Sequence, residues 1–262
     1  MDLDILLEDG PLIAVNKPAG LLTQGVPHGH PTLEARVKDY LKQKYAKPGN
    51  VYLGVPHRLD RPVSGIVIFA KNSKAAARLA EQFRDRSVQK FYLAVTERVP
   101  AAWSGRLNDW LLKDAEAAHV TVVPPATAGA KEAMLDYRVI AERDGRALLE
   151  IELHTGRMHQ IRVQLASRGW NIVGDYQYGA TRPASPLIVT AERPLTADTL
   201  NLDDTQDKYD RFTAPIALHA RRLCLAHPIR YDHLELLAPV PTAWKQFGFD
   251  EAIAADRSPE AT

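Results

Sequence analysis

The segment His57-Arg58-Leu59-Asp60-Arg61-Pro62-Val63-Ser64-Gly65 sets one carboxylate among three basic-type side chains, directly ahead of Ile66-Val67-Ile68-Phe69-Ala70-Lys71. Pro and Gly mark a turn, and the unbroken apolar run marks a strand buried on both faces. A carboxylate held this way suits nucleophilic or base chemistry beside a polyanion. A solvated turn laced with local ion pairs has the same composition, but the adjoining buried strand keeps Asp60 close to the core. Two-carboxylate hydrolysis needs a second acid about 5 to 9.5 Å away, and none lies close in sequence.

A second constellation is His154-Thr155-Gly156-Arg157-Met158-His159-Gln160-Ile161-Arg162. The spacing predicts an amphipathic helix over 158–167, ended by Gly169, with Thr155 as its cap. Backbone N–H groups and Arg157 would then meet at the helix N-terminus, a natural phosphate site. Arg162, between Ile161 and Val163, falls near the packed side and needs an anion; a core ion pair would serve it equally. His154 and His159 are five apart, which does not put both on one helix face. With no Cys or Asp completing a set, no metal site is expected. In Lys90-Phe91-Tyr92-Leu93-Ala94-Val95, alternation turns Tyr92 away from the apolar face of a strand, for packing or for chemistry. Leu218-His219-Ala220-Arg221-Arg222-Leu223 reads as a strand with a basic outer edge.

These residues need a scaffold, and 262 residues with 45% apolar content can bury one. Helices are expected over 32–45, with Thr32 as cap, and over 73–83. Strands are expected over 12–15, 66–70, 91–95, 119–123, 134–141, 149–153, 218–225 and 234–237. Strands outnumber helices without regular alternation, which favours an α+β fold with a mixed, largely antiparallel sheet. The stretch 181–215, rich in Pro and acids, reads as an insertion or functional loop. The tail over 250–262 reads as flexible.

The net charge of +1 gives no global pull on nucleic acid. Local charge does: Lys71, Lys74, Arg78, Arg84, Arg86 and Lys90 face only Glu81 and Asp85 in their stretch, while acids gather over 198–210. A basic face of that kind suits a phosphate backbone, and scattered solvated charge is the plainer alternative. The single cysteine, Cys224, excludes an internal disulfide framework and points to a reducing compartment. No basic region leads into an apolar run at the N-terminus, and no stretch of about 20 apolar residues exists. A cytoplasmic protein without membrane spans is expected.

Taken together, the segments resemble the RluA-type pseudouridine synthases. His57-Arg58-Leu59-Asp60 with Ser64-Gly65 is similar to the catalytic motif of that family, and Lys90 to Val95 to its tyrosine strand. Thr155-Gly156-Arg157 with His159-Gln160-Ile161-Arg162 is similar to its third motif. Asn16-Lys17-Pro18-Ala19-Gly20, Ile172-Val173-Gly174-Asp175 with Tyr178-Gly179, and Leu218-His219-Ala220 with His227-Pro228 match others in the right order. Val63 stands where the family often has Thr. Tyr231-Asp232 replaces a usual Gly-Glu, a change expected to alter only a turn. No S4-type RNA-binding module is expected ahead of Leu3.

The resemblance implies one catalytic domain over 1–249 and a pseudouridine-synthase-like sheet flanked by helices with a catalytic cleft across it. It implies isomerisation of uridine in ribosomal or transfer RNA, without a cofactor or metal. Asp60 would be the catalytic carboxylate and Arg162 its partner. Tyr92 would stack on the base, and Arg58 would fill the gap left by a flipped nucleotide. Arg61, Lys71, Lys90, Arg157 and His159 would contact RNA. A monomer with no protein partner is expected. A catalytically inactive RNA-binding protein of the same fold is the alternative.

Overall fold

The computed structural model describes residues 3–25, 31–114, 119–184 and 214–256. In chain order its elements are β1 (Ile5–Asp9), β2 (Leu12–Lys17), α1 (Leu33–Lys44), β3 (Ser64–Ala70), α2 (Ser73–Arg84), β4 (Gln89–Thr96) and β5 (Ser104–Asp114). They continue as β6 (His119–Val123), β7 (Lys131–Arg143), β8 (Arg146–Leu153), α3 (Gln160–Ala166), β9 (Leu218–Ala226), β10 (His233–Leu237) and α4 (Asp250–Ala255). The chain divides into two compact units, Met1–Lys90 with His219–Pro239, and Phe91–Leu218 with Val240–Thr262.

The first unit is a mixed sheet in the order β1-β2-β3-β9-β10 with α1 and α2. All pairs are antiparallel except β3 with β9, where Ser64 lies opposite His219 and Gly65 opposite Ala220. Gly65 has φ +119°, and a Cβ there would collide with the Ala220 backbone, so only glycine lets these two strands meet. Every residue of β3 is buried, as its apolar run predicts. Thr32 caps α1 by accepting from Ala35 N–H at 3.1 Å, and Asn72 caps α2 by accepting from Ala75 N–H at 2.9 Å. One stripe of α2, Ala75 and Leu79, packs on Leu12, Ala14, Ile66 and Ile68 of the sheet. Burying these side chains supplies the main stabilisation, about 1.5–3 kcal/mol for each larger one.

The second unit is antiparallel, in the order β4-β8-β7-β5-β6, with α3 against Leu111, Val120 and Ala133 through Val163. On β8 the buried Leu149, Ile151 and Leu153 alternate with the less buried Glu150 and Glu152. On β4 the alternation fails beyond Tyr92, because Leu93 to Thr96 are buried on both faces.

Three expectations need correction. The basic edge expected of β9 lies largely inside: His219 and Arg221 are 0% and 3% exposed, and Arg222 is half-buried. The flexible tail does not begin at 250, since Asp250–Ala255 is a helix that buries Ile253, and Asp256 pairs with Arg138 at 3.2 Å. The predicted insertion over 181–215 and the acidic run over 198–210 lie almost wholly outside the described residues.

Candidate active site

In the first unit, Asp60 follows the buried Leu59 and precedes a turn at Arg61-Pro62, itself half-buried. The turn closes with Val63 N–H donating to the Asp60 carbonyl at 3.1 Å. The backbone on either side is pinned. Thr23 Oγ1 donates to the Leu59 carbonyl at 2.8 Å and accepts from Leu59 N–H at 3.1 Å. Gly20 N–H donates to the Arg61 carbonyl at 2.8 Å, and Arg61 Nε donates back to the Gly20 carbonyl at 2.9 Å.

Beneath the loop lies Lys17, which is 0% exposed. Its ammonium donates to the carbonyls of Leu21, Pro18 and Arg61 at 2.8, 3.0 and 3.2 Å. Burial pushes this amine down to about 7, opposed by the charge of Asp60. The three carbonyl acceptors match the three donors of the charged form. A buried lysine thus ties the opening Lys17-Pro18-Ala19-Gly20 turn to the Asp60 loop. In the sequence Lys17 stands only within Asn16-Lys17-Pro18-Ala19-Gly20, the match to the family's opening, with no role of its own.

His57 and Ser64 frame the same loop. The His57 ring stacks on Phe83 at 4.6 Å, and its Nε2 accepts from Ile68 N–H at 3.1 Å. That acceptor role requires the neutral ring, and burial pushes the group to about 3, with Lys90 adding to the effect. Ser64 Oγ lies 2.9 Å from Nδ1 of His219, which burial likewise holds neutral, at about 3. Arg58 and Arg61 are exposed on the loop. Lys71 is drawn to Glu8 at 3.1 Å and lies over the Tyr45 ring. Lys90 is half-buried, and burial lowers its amine.

In the second unit, Tyr92 is half-buried on β4 opposite Ile151. The expected capping of α3 by Thr155 is not found. The helix begins at Gln160, and His159, at φ +51°, precedes it without a side-chain cap. Thr155 instead accepts from Met134 N–H at 2.9 Å and donates to Gln160 Oε1 at 2.7 Å. Gln160 Oε1 also accepts from Arg157 N–H at 3.1 Å, and Arg157 Nε donates to the Glu132 carbonyl at 2.9 Å. The Thr155-Gly156-Arg157 turn is therefore braced to β7, and its hydroxyl is spent inside the fold. His159 Nδ1 lies 2.8 Å from the Tyr178 hydroxyl.

Arg162 has a partner within this unit that the sequence reading did not name. Its Nε and Nη2 donate to the two carboxylate oxygens of Asp175, each at 2.7 Å, and Nη2 also reaches Gln177 at 2.9 Å. Both charges are buried, at 3% and 1% exposure. The guanidinium lies over the Tyr178 ring at 5.0 Å. The bidentate fork fixes the plane of the guanidinium. The Gly174-Asp175 pair carried a signal only through the family resemblance.

Among the described residues, Asp136, Glu152 and His154 bring possible ligand atoms within 4.8 Å of one another. Arg106 already holds both Asp136 oxygens, at 2.6 and 2.7 Å, and His154 Nε2 lies 2.8 Å from one of them. The cluster reads as an ion-pair network in which the arginine occupies a cation's place.

Comparison with known proteins agrees with this architecture. Residues 11–167 match the family model described as RNA pseudouridylate synthase. The chain is 33% identical over 247 residues to a protein of Chlorobaculum parvum named an uncharacterized RNA pseudouridine synthase, covering 90% of this chain and 70% of that one. It is 32% identical over 241 residues to the ribosomal large subunit pseudouridine synthase D of Salmonella typhimurium, covering 91% and 67%. The solved structure of human RNA pseudouridylate synthase domain containing 4 superposes with a TM-score of 0.69 at 27% identity, covering 93% of this chain and 92% of that one. Both the pinned Asp60 loop and the braced Arg162 helix thus sit in a chain that belongs to the RluA-type RNA pseudouridine synthases, isomerases that convert uridine in RNA to pseudouridine.

Proposed function

We propose that this enzyme isomerises uridine in structured RNA with Asp60 as its catalytic carboxylate. The observation that carries the reading is the restraint on the Asp60 loop. Its carboxylate sits on backbone fixed by Thr23, Gly20 and the buried Lys17, so the group is presented without the entropy cost of ordering a free loop. Asp60 acts at the ribose, as nucleophile at C1′ or as base on a neighbouring proton, and the N1–C1′ bond breaks. The freed uracil turns, C5 bonds to C1′, C5 gives up its proton and N1 gains one. The chemistry is redox-neutral and uses no external group donor, so no cofactor is required.

Arg162 serves as the partner of Asp60 in this scheme, its guanidinium oriented by Asp175. Tyr92 stacks on the base; a phenol is a poor base near neutral pH, which makes stacking its main role. Arg58 fills the space of the extruded nucleotide. Arg61, Lys90, Arg157 and His159 contact the RNA, with Lys71 contributing charge from its place beside Glu8. The names of the relatives favour ribosomal large-subunit RNA over transfer RNA as the target. A monomeric cytoplasmic enzyme with one catalytic domain over 1–249 completes the proposal; among the described residues no helix is long and apolar enough to cross a membrane.

The test is tritium release from [5-³H]uridine-labelled cellular RNA, followed by mapping of pseudouridine in RNA from cells with and without the protein. Release together with a missing pseudouridine in large-subunit RNA is expected. Strand scission or free uracil in place of tritium release would overturn the reading, and a missing site in transfer RNA would reassign the target.

A further inference from the structure

The turn joining β9 to β10, His227-Pro228-Ile229-Arg230-Tyr231-Asp232, is built more firmly than a connector requires. His227, 1% exposed, accepts from the N–H groups of Ile229 and Arg230 through Nδ1, at 3.2 and 3.1 Å. Its backbone bonds to both ends of the turn, with His227 N–H donating to the Asp232 carbonyl and Tyr231 N–H to the His227 carbonyl, each at 2.8 Å. Gln82 of α2 grips Ala226 from both sides, donating to its carbonyl at 2.9 Å and accepting from its N–H at 3.0 Å. The turn is thereby fixed on the helix that carries Lys74 and Arg78.

At its tip stands Tyr231, with φ +65° and 63% exposure. A bulky residue in the left-handed region is an outlier that glycine would relieve. Nothing in the core compensates, because the ring is mostly in solvent and its hydroxyl makes no hydrogen bond among the described residues. What the ring meets is Arg78. The guanidinium lies 5.1 Å from the ring centroid and is anchored by donating to the Pro228 carbonyl at 2.6 Å. Among the described residues no carboxylate pairs with Arg78. Lys74 lies one turn away on the same helix face, exposed. Arg230 differs, since Asp9 and Asp232 neutralise it at 2.8 and 3.2 Å. The tip therefore offers a flat π surface beside unneutralised charge.

We propose that Tyr231 and Arg78 form a stacking platform for an unpaired nucleotide of the RNA substrate, apart from the uridine that reacts. The proposal rests on the reading of the protein as an RNA isomerase. Aromatic faces with adjacent arginines accept any base and prefer single strands, because a duplex hides its base faces. The ring is held by a fixed turn, so little freedom is lost on binding. Lys74 supplies a phosphate contact next to it.

Fluorescence anisotropy with a labelled 12-nucleotide single-stranded RNA, and with a blunt 12-base-pair RNA duplex, tests this. Tyr231→Gly should weaken single-strand binding about 5- to 150-fold, the range of one lost base stack, and leave duplex binding nearly unchanged. Its melting temperature should equal or exceed that of the wild type, since the left-handed tyrosine is relieved. Tyr231→Trp should bind like the wild type, and Arg78→Met should lose part of the same affinity. Equal single-strand binding by Tyr231→Gly would overturn the platform. So would a dimer, seen by light scattering, that Tyr231→Gly abolishes without changing RNA affinity. Tritium release by the same preparations separates the two readings. A wild-type protein that releases tritium while Tyr231→Gly binds normally sinks the platform alone; one that releases none sinks the isomerase reading, and anisotropy still decides the platform.

Discussion

The two units handle their polar side chains differently. The first holds three titratable groups toward their neutral forms: His57 and His219 are unprotonated, and burial drives Lys17 down to about 7, while the buried Arg221 stays charged against the Ala238 carbonyl. The second keeps its charges and matches them. Arg162 faces the buried Asp175 in a bidentate fork; nearer the surface Arg168 reaches Asp109 at 2.9 Å, and the exposed Arg106 and half-buried His154 converge on Asp136. Neutral groups lose little on leaving water, whereas ions need near-ideal partners. The contrast matches the proposed roles. A loop presenting one working carboxylate is best surrounded by groups that bring no competing charge. A helix presenting a guanidinium needs a fixed counter-charge to keep its geometry.

The contrast predicts unequal responses to mutation and to pH. The largest effect should come from splitting the matched pair. Asp175→Ala removes the carboxylate that takes the bidentate fork of the buried Arg162, costing about 3–5 kcal/mol in urea unfolding. The double variant Arg162→Met with Asp175→Leu should recover most of that stability. A double variant as unstable as Asp175→Ala would mean that the pair is not the source of the loss.

Acid should act next, through the first unit. Its two histidines have folded values near 3 against an ordinary 6.5. Their neutral burial therefore stabilises fully above about pH 6.5 and is lost as pH falls toward 3, on the order of a few kcal/mol per ring. His57→Phe should flatten this slope while costing about 1–3 kcal/mol at pH 7, because Ile68 N–H loses its acceptor. A slope identical to the wild type's would remove His57 from the account.

Lys17→Met should cost less at neutral pH, about 1–3 kcal/mol, by leaving three carbonyls without their donor. Here the folded value lies below the unfolded one, so wild-type stability rises as pH climbs from about 7 toward 10.5. The gap between wild type and Lys17→Met should therefore widen over that range in thermal melts. A gap that narrows would show that the lysine stays charged in the fold.

The elements were legible in the sequence where one physical rule dominated. Apolar runs marked β3, helical spacing behind the Thr32 cap marked α1, and an apolar stripe marked α2. Asp60 stood out by its neighbours and its place before a buried strand. Long-range polar pairing was not legible. Thr155 looks like a helix cap by type, but a hydroxyl between Met134 and Gln160 is decided by β7, which sequence spacing does not bring into view. Lys17 and Arg221 look solvent-facing by charge, and both are buried, Lys17 on carbonyls of its own turn and of Arg61, and Arg221 against the Ala238 carbonyl. Arg162 announced its need for an anion, yet thirteen residues separate it from Asp175, and only the fold supplies that partner.

The chemistry proposed for the first unit rests on one carboxylate, that of Asp60. The decisive measurement is single-turnover pseudouridine formation by Asp60→Asn, which preserves shape and removes charge. RNA affinity and thermal stability close to wild type, with tritium release reduced by at least about a thousandfold, roughly 4 kcal/mol of lost transition-state stabilisation, is the predicted result. Release at near wild-type rate would contradict the assignment and return the carboxylate to a structural part of its turn.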